Sequence, residues 1–138
     1  MEVPDLENVK ILIVEDDELV QDSLQTILES EGYETLKASD GLTAKDLTDK
    51  EFINLILLDV ELPDISGIEL AKKIRVTIPQ MRKIFLTGHN DGTLEIEQLK
   101  KFADAYVIKP YDIDFLLEVI SRNLEEQRNE TLSGHGTV

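Results

Sequence analysis

Two short apolar runs that each stop on acid constrain this chain most. Residues 10–17 read KILIVEDD and residues 53–59 read INLILLD. A continuously apolar, largely branched run of this length is the pattern of a strand covered on both faces. Such strands belong to parallel sheets flanked by helices, where ligands bind just beyond the carboxyl ends of the strands. Glu15, Asp16 and Asp17 fall at one strand end and Asp59 at another. Brought together, they offer the oxygen ligands that a hard divalent cation such as Mg2+ prefers.

The rest of the chain alternates around these runs. Residues 1–8 read as a polar lead-in and Lys10–Glu15 as the first strand. Val20, Leu24, Ile27 and Leu28 then recur at helical spacing, with Asp17 as cap and Gly32 as stop. Tyr33–Ala38 reads as a strand, and Ala44 and Leu47 mark a helix ending near Lys50. Ile53–Leu58 is the clearest central strand. LPDISG, residues 62–67, is a loop. Gly67, Leu70, Ala71 and Ile74 form the next helical stripe, and Gly67 suits close packing better than phosphate binding. Pro79 precedes a strand at Lys83–Leu86. A weaker helix over Thr93–Phe102 is anchored by Leu94, Leu99 and Phe102. Tyr106–Ile108 is a short strand, and Tyr111–Leu124 the last helix. Five strands alternating with five helices predict an α/β fold: a doubly wound, five-stranded parallel sheet with helices on both faces. Strand order 2-1-3-4-5 would set the ends of strands one and three side by side, so that Asp16 and Asp59 converge.

Size and charge narrow the function. A chain of 138 residues suits one domain, and 41% apolar residues suffice for a core. The net charge of −15 opposes direct binding to nucleic acid, whose phosphates carry the same sign. With no cysteine, neither disulfides nor thiolate ligands are available. The segment MEVPDLENVK lacks the basic and apolar regions of a signal peptide, and no apolar run approaches the roughly 20 residues of a membrane span. A soluble, cytoplasmic protein without membrane attachment is the expectation.

The motifs KILIVEDD, LILLDVELPDISGIEL, FLTG and YVIKP occur in order over about residues 9–124. On these the chain resembles the receiver domain of two-component response regulators, of the kind that includes the chemotaxis response regulator. The resemblance implies a flavodoxin-like fold and a receiver domain at 9–124, with 125–138 a polar tail or the start of a linker. It implies phosphorylation of Asp59 by a phosphohistidine on a histidine kinase or histidine phosphotransfer protein. By the same resemblance Glu15, Asp16, Asp59 and the Glu61 carbonyl hold Mg2+, Asp16 directly and Glu15 mostly through water. Thr87 and Tyr106 match the switch pair, and Lys109 matches the phosphate-contacting lysine. In relatives, the bond before the matching proline, here Lys109–Pro110, is cis. The face of the fourth helix, fifth strand and last helix would meet an output domain or protein partner.

The chemistry explains why these groups go together. Asp59 must attack phosphorus as a carboxylate while the incoming group is also negative. A divalent cation offsets that charge, and Lys109 adds a positive point where charge builds on the phosphoryl oxygens. Taken singly, each residue has a plainer reading. Glu15–Asp17 suit a solvated strand end and cap, Thr87 and Lys109 a surface, and Tyr106 ordinary packing. The ordered combination carries the argument.

The departures from the family pattern are informative. Gly88 follows Thr87 where many members carry alanine. Phe102 replaces a glycine, and Ala105 replaces an aspartate, which disfavours the charged dimer network of which Asp104 could be one member. Phe102 instead plugs the core or offers an apolar contact. Glu61 and His89 occupy the two variable positions that tune phosphoryl lifetime in relatives, and are expected to approach each other across the pocket. Two rivals are weaker. A haloacid-dehalogenase-type phosphatase needs D-x-D-x-[TV] after the first strand, which is absent, and a pseudo-receiver would not need the full set Glu15, Asp16, Asp59, Thr87 and Lys109. The phosphate loop GxxxxGK[ST] is also absent. The protein is therefore expected to catalyse only its own aspartyl phosphorylation and dephosphorylation.

Overall fold

The structure, a computed structural model, describes residues 9–77, 80–88 and 92–136. Five strands run β1 Lys10–Val14, β2 Glu34–Ala38, β3 Leu55–Asp59, β4 Arg82–Thr87 and β5 Ala105–Ile108. Between and after them lie α1 Glu18–Ser30, α2 Gly41–Lys50, α3 Gly67–Thr77, α4 Leu94–Phe102 and α5 Ile113–Gly136. All pairings are parallel and the order is β2-β1-β3-β4-β5, the doubly wound arrangement expected from the alternation.

The two-residue period of a strand sorts the side chains into two layers. Ile11 and Ile13, Leu55 and Leu57, Ile84 and Leu86 point to one face, where Leu24 and Leu28 of α1 and Leu116 and Ile120 of α5 cover them. Leu12 and Val14, Ile56 and Leu58, and Phe85 point to the other, against Ala44 of α2, Leu70 and Ile74 of α3, and Ile96 and Leu99 of α4. Full burial of each such side chain is worth about 1.5–3 kcal/mol, which is why the middles of the central strands are apolar on both faces.

Local signals set the ends. Asp17 caps α1 by accepting from the Leu19 and Val20 amides, and Gly32 turns the chain out of the helix at φ +96°. Gly67 lets α3 start against β3: a Cβ there would stand 2.5 Å from the Asp59 carbonyl oxygen. Its role is close approach, as the sequence suggested.

Three expectations change. Val20 lies outside the buried stripe of α1, which runs Gln21, Leu24, Leu28, so a glutamine occupies a core-facing position. Leu94 is 80% exposed and Ile96 takes its place, while Leu99 anchors α4 as expected. Residues two apart on a helix do not share a face, so Leu94 and Ile96 cannot both point inward. The last helix runs past Leu124 to Gly136 and is fastened at the amino end of the sheet. There Gln127 Nε2 donates to the carbonyls of Asn54 (2.8 Å) and Gln80 (3.0 Å). The buried Arg82 guanidinium lies 2.7 Å from Glu130, 3.4 Å from Asp104 and 3.8 Å from Glu126.

Pro79, residues 1–8 and His89 lie outside the described residues. Among the described residues no helix is long and apolar enough to cross a membrane.

Candidate functional site

Strand register brings the acids together. Val14 pairs with Leu58, so Glu15 leaves β1 beside Asp59, the last residue of β3. Asp59 pairs with Leu86, and Thr87 with Ile108, so Thr87 and Lys109 emerge at the same edge. One carboxylate oxygen from each of Glu15, Asp16 and Asp59 lies within 4.8 Å of the others. Glu15 and Asp59 are buried, at 4% and 6% exposure, and Asp16 is exposed.

Each oxygen of Asp59 has a partner. The Glu61 amide donates to Oδ1 at 2.9 Å, and Lys109 Nζ donates to Oδ2 at 2.8 Å. Lys109 is held in turn by its own amide, which donates to the Thr87 carbonyl at 2.7 Å, and the Lys109–Pro110 bond is cis. Burial works against the Lys109 ammonium, but the hydrogen bond and charge of Asp59, with the charge of Glu15, outweigh it and hold its pKa above the ordinary value.

Glu15 is the strained member. Its Oε2 accepts from the Asp17 amide at 3.0 Å, while Oε1 is buried with no hydrogen-bond partner among the described residues. Burial pushes its carboxyl up to about 7; the Asp17 amide opposes the rise and the Asp59 charge adds to it. An orphaned, buried carboxylate oxygen facing two further carboxylates is an all-oxygen donor set, and it fits Mg2+.

Thr87 is 1% exposed at the end of β4. Tyr106 is half-buried on β5 and packs on the core layer of α2, α3 and α4. Phe102 packs there too, with the Lys72 ammonium 5.3 Å from its ring centre, so it serves the core. The Asp104 carboxylate accepts from the Lys83 amide at 2.7 Å and pairs with Arg82, so it is engaged within the chain. Glu61 is exposed and meets Asp59 through its backbone. Its expected approach to His89 falls outside the described residues.

Two supporting residues escaped the sequence reading. Gln21 Nε2 donates to the carbonyls of Glu15 (3.0 Å) and Ala38 (3.1 Å), fixing the chain as it leaves β1. The signal was present: position 21, not 20, is in phase with Leu24 and Leu28. Asp64 accepts three backbone N–H groups, two of them from Gly41 and Leu42. No local pattern announces a contact of that span.

Comparison with known proteins gives a consistent picture. The family described as "Response regulator receiver domain" matches residues 11–121. The chain is 34% identical to sporulation initiation phosphotransferase F of Bacillus subtilis over 122 residues, 88% of this chain and 98% of the relative. It is 35% identical to the aerobic respiration control protein ArcA of Escherichia coli over 102 residues, 74% of this chain but only 42% of that regulator. A CheY-like response regulator receiver domain protein from Methanospirillum hungatei superposes with a TM-score of 0.82 at 41% identity, over 88% of this chain and 98% of that one. The response regulator TrrA of Thermotoga maritima, solved in complex with Mg(2+)-BeF, superposes with a TM-score of 0.76 at 31% identity, over 83% and 98%.

Proposed function

Since the chain belongs to the response regulator receiver domain family, we propose that it is the phosphoacceptor switch of a two-component phosphorelay, with Asp59 as the acceptor. One observation carries the residue assignment. The Asp59 carboxylate sits between the Lys109 ammonium at 2.8 Å and the carboxylates of Glu15 and Asp16.

In this reading an Asp59 oxygen attacks phosphorus of a phosphohistidine. The O–P bond forms as the P–N bond breaks, and the imidazole nitrogen keeps the electron pair. The donor is a histidine kinase or a histidine phosphotransfer protein. Glu15, Asp16 and Asp59, with the Glu61 carbonyl, would hold Mg2+, which offsets the negative charge between carboxylate and phosphoryl group. The Glu61 amide and Lys109 aim the carboxylate, and Lys109 then meets charge on the transferred group. Hydrolysis of the acyl phosphate returns Asp59, so the chain catalyses its own phosphorylation and dephosphorylation and acts on no separate substrate.

The output is a change in packing. The phosphoryl oxygens are strong acceptors. Thr87 turns its hydroxyl toward them and Tyr106 moves into the space released, altering the face of α4, β5 and α5 that meets an output domain or partner. Residues 9–124 form the receiver unit, and α5 continues beyond it to Gly136. Glu61 and His89 set the lifetime of the phosphoryl group. A decay rate identical to wild type in both Glu61→Ala and His89→Ala would remove that role.

The test is intact mass after incubation with Mg2+ and acetyl phosphate, beside Asp59→Ala. One phosphoryl group on the wild type alone is expected. An adduct on the variant as well would put the acceptor elsewhere.

A further inference from the structure

The loop after Asp59 is anchored to a helix remote from it in sequence. Asp64 Oδ1 accepts from the amides of Gly41 (2.8 Å) and Ile65 (2.9 Å), and Oδ2 accepts from Leu42 (2.9 Å). Helix α2 has its own cap in Asp40, which accepts from Thr43 at 2.7 Å. The two acids together satisfy the first three free N–H groups of the helix, one from within and two from the loop. The contact is also shaped sterically. A Cβ on Gly41 would stand 2.5 Å from Ile65 Cγ1, so Ile65 rests on bare backbone.

The other end of the loop is equally fixed. The Gly67 amide donates to the Val60 carbonyl at 2.7 Å, and the Glu61 amide donates to Asp59. Between these points no strand or helix holds residues 60–66. The Val60 amide donates to the Leu86 carbonyl at 3.2 Å, and the Asp64 carboxylate is the side chain that ties the stretch to α2.

We propose that Asp64 is a positioning residue for the phosphoacceptor: by holding the loop on the start of α2, it keeps the Glu61 amide and carbonyl in register with Asp59. This role rests on the phosphoacceptor reading above. Asp64 touches neither Asp59 nor a donor; it acts through the loop. The electrostatics agree. The N-terminus of α2 carries partial positive charge, and the Gly41 amide leads the contacts that hold the Asp64 carboxyl below its ordinary value, so the anchor is charged at neutral pH. Groups that orient a metal ligand or a reacting carboxylate without touching the reaction commonly change affinity or rate by about 10-fold or more.

A plain capping role predicts lost stability and nothing else, so the test reads position directly. Full-length wild type, Asp64→Ala, Asp64→Asn and Ile120→Val, a core change away from the loop, are compared. The first readout is hydrogen exchange at the Glu61 amide, set against the melting temperature. The second is the half-saturating Mg2+ concentration from amide shifts. The third is the rate of labelling by acetyl phosphate. Asp64→Ala is expected to speed Glu61 exchange and to raise the Mg2+ requirement by about 10-fold. Asp64→Asn, which keeps one acceptor oxygen, should recover part of both, and Ile120→Val should change neither. Exchange and Mg2+ requirement unchanged in Asp64→Ala, or changed equally in Ile120→Val, would overturn the positioning role. Wild type that takes no phosphoryl group from acetyl phosphate or a phosphohistidine donor would overturn the phosphoacceptor reading instead. The exchange and Mg2+ results would still decide whether Asp64 registers the loop.

Discussion

Lys109 Nζ lies 2.8 Å from Asp59 Oδ2, across fifty residues of chain. The pair brings a cation from beyond β5 to the end of β3, next to two further carboxylates. It is the one positive side chain recorded against Asp59 among the described residues.

Removing that cation exposes the repulsion it offsets. Lys109→Met should lower metal-free stability by about 1–3 kcal/mol, the usual cost of leaving a buried charged acceptor without its donor. Saturating Mg2+ should shrink the deficit, because a second cation then serves the same carboxylates. Urea unfolding with EDTA and with Mg2+ measures both; a deficit indifferent to Mg2+ would contradict the shared role.

The titration of Glu15 gives a pH signature. Its carboxyl is raised from 4.5 to about 7, first by burial. Between those values the folded protein binds more protons than the unfolded chain. The contribution of this group to metal-free stability is therefore full below the lower value and is lost as pH rises through the upper one. Glu15→Gln removes the titration. Its melting temperature in EDTA should gain on the wild type between about pH 5 and about pH 8. Parallel curves for the two proteins would refute the assignment. The proton and Mg2+ compete for Glu15, so half-saturating Mg2+ should also rise as pH is lowered.

Gly67→Ala tests the close approach behind Asp59. The new Cβ would meet the Asp59 carbonyl oxygen at 2.5 Å and Val60 Cα at 3.0 Å, both backbone atoms that cannot rotate away. A destabilisation of about 1–3 kcal/mol is expected, with slower labelling by acetyl phosphate as the end of β3 shifts. A variant as stable as the wild type would show that α3 can back away.

How much of this was legible in the residues differs between local and distant effects. ILIV and LILL announced strands, Asp17 a cap and Gly32 a stop, because each acts within a turn or two of itself. The convergence of Asp16 and Asp59 followed from strand order, which the alternation of elements implied. The phase of Gln21 with Leu24 and Leu28 was legible, but the carbonyls of Glu15 and Ala38 that satisfy it there were not. Arg82 and Asp64 were hidden for a related reason: the partners that matter, Asp104 for one and the Gly41 and Leu42 amides for the other, lie 22 or more residues away and are partly backbone. Leu94 misled because composition records apolarity without phase.

The fastening of α5 yields a further expectation. Gln127→Ala deletes two hydrogen bonds to the amino edge of the sheet, and Arg82→Met deletes the ion pairs to Glu126 and Glu130. Either change should loosen the helix beyond Leu124 and speed tryptic cleavage after Arg128, with a global cost of about 1 kcal/mol for the glutamine. Cleavage at the wild-type rate in both variants would mean the segment is held by other contacts.

The neighbours β1 and β3 are not consecutive in the chain, and Lys109 enters only after β5 has paired. The pocket therefore depends on pairings of long sequence separation, whose loop-closure cost makes folding slow. A partly folded molecule has the carboxylates but not their arrangement. Until β5 is paired, Lys109 has no fixed place beside Asp59.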